Sequence, residues 1–141
     1  MIVKNAIASG VIAGAATAAA VALCGMANRT GAAAPVNATS HILWGDEAGT
    51  ASQPDVRHTL PGLALHFGAT IFWAALYEAM PRHPLGGPAT AAVAYVTDYH
   101  VVPRRLTPGW ELRLPGRSLA VIYLVLAASL PLRGLFQRKR Y

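Results

Sequence analysis

Four apolar runs, each bounded by proline, glycine or charge, divide this chain. They cover residues 6–27 (AIASGVIAGAATAAAVALCGMA), 60–80 (LPGLALHFGATIFWAALYEAM), 85–102 (LGGPATAAVAYVTDYHVV) and 118–136, where SLAVIYLVLAASLPL opens the run. About 20 apolar residues at ~1.5 Å rise span the ~30 Å hydrocarbon layer as a helix. The pattern predicts an all-α fold: a small polytopic transmembrane bundle of about four spans. Pro81 and Pro84 make a short turn, so the second and third spans should be antiparallel neighbours. The third run is short and ends polar, at Thr97, Asp98, Tyr99 and His100, so it either crosses fully or unwinds as a re-entrant segment. The last run is also short; Arg117 and Arg133 bracket it by reaching outward to the interface.

The first span carries a small-residue stripe, Gly10, Gly14 and Ala18, whose spacing lets two helix backbones approach closely. Packing inside the molecule is favoured over a dimer seam. The run resembles a secretory leader in its charged start and small end, but exceeds the usual 7–15 apolar residues of one, which favours retention. Between the first two spans lies a connection over residues 28–58. Its centre, NATSHILWGDE, predicts a short interfacial helix over residues 37–47, with Thr39 or Ser40 as cap, Gly45 as stop and Trp44 turned inward. Asn37-Ala38-Thr39 also matches a glycosylation sequon, a weak three-residue pattern. Trp110, in the second polar connection, is a further interface anchor.

Composition supports the same class. Of 141 residues, 54% are hydrophobic and 13% charged, against about 25% charged in soluble domains. That length fits one integral membrane domain, 1–141, with no separate soluble domain. The net charge of +6 does not imply nucleic acid, because no basic stripe interleaves with aromatics; the tail Arg138-Lys139-Arg140 anchors a helix end at lipid headgroups. Cys24 is alone and forms no internal disulfide. Cations divide evenly between the two sides of a four-span arrangement. The clustered basic tail, with Asp46, Glu47, Asp55 and Glu111 opposite, assigns the termini to the cytoplasm.

An aromatic-rich helix ends Glu78-x-x-Pro81, a small-residue helix ends in a polar histidine, and Leu106-Thr107-Pro108 precedes a last apolar helix with a basic tail. In this order the second half resembles the YagU-like bacterial inner-membrane proteins. The resemblance implies a multi-pass protein of the bacterial inner membrane and carries over no catalytic residue.

The chemistry rests on ionisable groups inside apolar runs, where each costs ~2.5–3.5 kcal/mol or more near the midplane. The candidates are His41, His66, Glu78, Asp98 and His100. On a helix, His66, Thr70, Trp73 and Tyr77 share a face, with Glu78 about 120° away. Depth places His66 against Asp98 or His100 across the turn, with His41 dipping from the loop. The competing reading gives His66 an interhelical hydrogen bond to Ser, Thr or Tyr, and Asp98 an ion pair with Arg104 or Arg105. Histidine and carboxylates can ligate zinc or iron, yet the spacing forms no metal motif and no other cofactor is indicated. Without Gly-x-Ser-x-Gly or a P-loop, an enzyme is the least supported class. A structural or accessory membrane subunit ranks first. An ion or proton transporter or relay built on the polar cluster comes second, and a metal-binding membrane protein third. The partners implied are the lipid bilayer and either a second copy or a larger membrane complex.

Overall fold

A computed structural model describes residues 1–138, and among them the regular structure is helical throughout. The long helices are α1 (Ile2–Ala27), α4 (Thr59–Ala79) and α6 (Gly116–Ser129), which α7 (Leu132–Arg138) continues past a break at Pro131. Proline has no N–H to give the helix ladder, so the break falls there. Three lengths are long and apolar enough to cross a membrane: Ile2–Ala27, Thr59–Ala79 and Gly116–Gln137, of 26, 21 and 22 residues. The third apolar run is an 11-residue helix, α5 (Gly86–Val96), closed by a five-residue π turn, Thr97–Val101. Helix and turn together rise about 24 Å, short of the full hydrocarbon thickness.

Helix α1 is the hub. It packs on α4 and α6, and α6 in turn packs on α5. Helices α4 and α5 meet far less, although consecutive. The small-residue stripe explains the tightest seam. A Cβ on Gly10 would fall 2.5 Å from Ile71 Cα, and one on Gly14 would enter the Phe67 ring. Both glycines therefore serve contact between α1 and α4 within one molecule. Ala18, one turn on, faces Val36, Gly62 and Trp110.

The two polar connections fold onto each other at the end where α1 stops and α4 and α6 begin. They form a cap. The stretch expected to be one helix over residues 37–47 is three pieces: α2 (Ala33–Ala38), α3 (His41–Trp44) and a 3-10 turn, Asp46–Thr50. Neither Thr39 nor Ser40 caps by its side chain; the Ser40 hydroxyl bonds back to Asn37 O instead. Gly45, at φ 85°, ends α3 in a conformation that favours glycine. Arg105 then donates to the carbonyls of Ile42 and Leu43, both at 3.1 Å, satisfying the open end of α3. Arg113 ties the second connection to the first through Gly49 O (2.6 Å) and Ser52 Oγ (3.1 Å). Asn37 is completely buried, with its amide donating to Ala51 O and Gln53 O and accepting from Thr59 Oγ1. Its amide is fully used, which closes the sequon reading.

Candidate functional site

A cavity of about 260 Å³ lies between the bundle and the cap. Helix α4 supplies Leu65, Ala69 and Trp73; α6 supplies Ile122, Tyr123 and Leu126; the cap supplies Thr39, Ile42, Leu106, Pro108 and Trp110. Thr17, His66, Thr70 and Asp98 are the remaining polar members of the wall. The space exceeds the ~150 Å³ that admits benzene in an engineered cavity.

Helix α1 takes up most of these polar groups. His66 Nε2 stands 3.0 Å from Gly14 O and 2.9 Å from Thr17 Oγ1. A carbonyl only accepts, and the Thr17 hydroxyl already donates to Ala13 O at 2.7 Å. Nε2 therefore carries the proton and donates. The Thr70 hydroxyl donates toward Gly10 O (2.9 Å) and Phe67 O (3.0 Å). These bonds join α4 to α1, with the glycines allowing the approach.

Asp98 is different. The π turn that ends α5 sets it against α6, where its Oδ2 accepts from Tyr123 Oη at 2.6 Å. Among the described residues no Lys, Arg or His nitrogen lies within 4.0 Å of Asp98 or Glu111. Asp98 meets neither Arg104 nor Arg105 and makes no hydrogen bond to His66; the two line the same cavity from different helices. The expected pairing of His66 with Asp98 or His100 is thereby overturned. The physical reason is that α4 faces α1, which offers His66 the Gly14 carbonyl and the Thr17 hydroxyl. His100 is exposed and packs edge-on to Tyr95, at 5.7 Å between ring centroids. His41 is buried, but its Nε2 donates to Thr107 O at 2.7 Å within the cap and does not reach His66.

No family model, curated protein or solved structure matches the chain. The reading of the site therefore rests on its geometry.

Glu78 lies at the opposite end of the bundle from the cavity. Its carboxylate accepts from Arg133 Nη2 (2.8 Å) and Nε (3.2 Å) and from Ser9 Oγ (2.6 Å). Arg133 is only 7% exposed, so it is a buried partner rather than an anchor reaching for the interface. Trp110 is likewise buried, set between His66 (tilted) and Tyr123 (edge-on) at 5.9 Å from each. Trp44 points the other way from expectation. It is 42% exposed, its Nε1 donates to Arg57 O, and the Arg57 guanidinium covers its ring. Arg117 is exposed and donates to Asn28 Oδ1.

Tyr123 and Thr17 belong to the site without having been singled out, and Thr39, read only as a helix cap, belongs to it too. Each is a hydrogen-bonding residue in or beside apolar sequence, Thr17 within an alanine run and Tyr123 within VIYLVL. That isolation is the signal that could have found them. Glu111, in the cap, accepts from the Thr107 hydroxyl. Among the described residues no three His, Cys, Asp or Glu side chains gather as a metal-binding group.

Proposed function

We propose that the chain is an integral membrane protein of four spans whose capped cavity binds a small molecule, an accessory or carrier role rather than catalysis. The cavity beneath the cap carries this reading. It is large, mostly apolar, and holds a few converging polar groups, the usual make-up of a ligand site. The membrane setting is supported by inverted polarity. Ile7, Val11, Phe72, Leu76, Val121 and Leu124 face outward, whereas Ser9, Thr17, His66, Thr70, Ser129 and Arg133 are buried. In water that arrangement forfeits hydrophobic burial; in lipid it hides the costly groups. The fourth span is α5 with its π turn, since α4 ends at the Glu78 end and α6 begins at the cap. The cap, with α2 and α3, rests at one membrane interface. The YagU-like resemblance supports the bacterial inner membrane as the setting, and the clustered basic tail supports cytoplasmic termini.

A proton relay has less support. Asp98 and His66 share the cavity, but His66 Nε2 is committed to α1. Intrinsic fluorescence in lipid nanodiscs tests the binding reading. After Trp44→Phe the two remaining tryptophans, Trp73 and Trp110, both line the cavity. A small brominated aromatic should quench them saturably, and Ala69→Phe, which fills the space, should abolish saturation. Linear partitioning, unchanged by Ala69→Phe, would overturn the reading.

A further inference from the structure

We infer that the cavity takes a lipophilic organic cation, a quaternary or protonated amine with apolar substituents, against Asp98. The inference rests on the binding reading above and deepens it. The Asp98 carboxylate borders an apolar space with one hydroxyl partner and, among the described residues, no cation in reach. Glu111, in the cap, also has none and keeps its buried Oε2 without a hydrogen-bond partner. Asp98 thus gives the cavity a negative group that no described side chain neutralises. A compensating charge must come from a proton or from a guest.

The walls specify the guest. The faces and edges of Trp73, Trp110 and Tyr123 border the same space, and aromatic rings beside a carboxylate favour an organic ammonium over a hydrated metal ion. An inorganic cation would lose water with few oxygens to replace it, and no third ligand joins Asp98 and Glu111. The Thr39 hydroxyl supplies a second, independent pointer. Thr39 lines the cavity and is only 5% exposed, and its hydroxyl has no hydrogen-bond partner. Buried hydroxyls are normally satisfied, so this one is open to the N–H of a protonated amine or, with a quaternary guest, to a water carried in beside it. An anionic guest would meet Asp98 directly, and a neutral one would leave the carboxylate unpaired.

The test compares two isosteres, phenyltrimethylammonium and tert-butylbenzene, with benzenesulfonate as the anion, by Trp73 and Trp110 fluorescence of the Trp44→Phe protein in nanodiscs. The cation should bind roughly tenfold tighter than its neutral isostere, and benzenesulfonate should not saturate. Asp98→Asn still accepts from Tyr123 and should shrink the preference to roughly twofold. Equal affinities for the two isosteres in the unsubstituted cavity would overturn the cation assignment while leaving small-molecule binding intact. A preference that survives in folded Asp98→Asn would overturn it as well. No saturable binding of any probe would instead remove the underlying reading. Repeating the titration in discs with and without phosphatidylethanolamine separates the sources. Competition by that lipid assigns the site to an amine headgroup, and its absence assigns it to a free amphiphilic cation.

Discussion

His58 sits between two carboxylates on the cap. Its Nδ1 is 2.8 Å from Asp55 Oδ2, its Nε2 is 3.4 Å from Glu47 Oε1, and its backbone N–H donates to Asp55 Oδ1. The Asp55 hydrogen bond, more than Glu47, raises the His58 pKa above the ordinary 6.5. The same bond lowers the Asp55 pKa below 3.8. A raised histidine pKa stabilises fully below 6.5, and the effect drains away as pH rises through the folded value. A lowered aspartate pKa stabilises above 3.8, and its effect is lost as pH falls through the folded value. The clamp is thus whole between 3.8 and 6.5. Amide exchange at His58, corrected for intrinsic rates, should show constant protection across that window and falling protection on the alkaline side. Asp55→Asn should flatten the profile; a flat profile in the native chain would refute the clamp. This clamp also bears on what the sequence could disclose. Trp44 reads as an anchor from its type alone, but its direction depends on Arg57, thirteen residues on, which covers its ring and accepts its N–H. Sequence spacing cannot supply such a contact.

At the scale of elements, the helix ends were legible within a few residues, because apolar runs stop at Pro, Gly and charge. The break-up of the first connection was not, since Arg105 stabilises the end of α3 from sixty residues away. The α1–α4 seam gives a direct check. Gly10→Ala would press a methyl onto the Ile71 backbone and should destabilise by about 1–3 kcal/mol, the usual range for overpacking. Gly68, on the same pair of helices, has open space at its Cβ position, so Gly68→Ala should be neutral or slightly stabilising. Thermal melting in detergent compares them, and equal gains in both would mean that helix propensity, not contact with Ile71, governs Gly10. The Glu78–Arg133 pair joins α4 to α7 with side chains 5% and 8% exposed. Arg133→Ala removes the buried partner of Glu78 and leaves it the Ser9 hydroxyl and the exposed Arg82 at 3.7 Å, so it should cost about 1.5–3 kcal/mol. Glu78→Gln with Arg133→Gln should cost less than Arg133→Ala alone; an equal or larger loss would show that the arginine acts by packing.

For the whole molecule, the contacts fix how the first and last helices lie relative to one another. Ser9, near the start of α1, bonds Arg133 in α7 at 3.0 Å, while Asn28, just past the end of α1, bonds Ser118 near the start of α6 at 2.9 Å. Helices α1 and α6 are therefore antiparallel, and the start of α1 and α7 lie together at the Glu78 end, opposite the cap. The polar candidates were visible one by one in the sequence, because each interrupts an apolar run. Their grouping was not, because the neighbour of α4 is α1 rather than the α5 that follows it. If the bundle crosses a bilayer, Lys4 and Gln137 must share one aqueous side, and Ser52 and Arg104 the other. Single cysteines at these four positions, in a Cys24→Ser background, should label as two opposed pairs with an impermeant thiol reagent in sealed cells. Phe72→Cys, on the apolar exterior of α4, should stay unlabelled from both sides until detergent is added. Labelling of Phe72→Cys from water as fast as Ser52→Cys would mean that this apolar surface faces solvent or a partner protein instead of lipid. The inverted polarity would then belong to an assembly, and native mass spectrometry of the purified complex would show its other members.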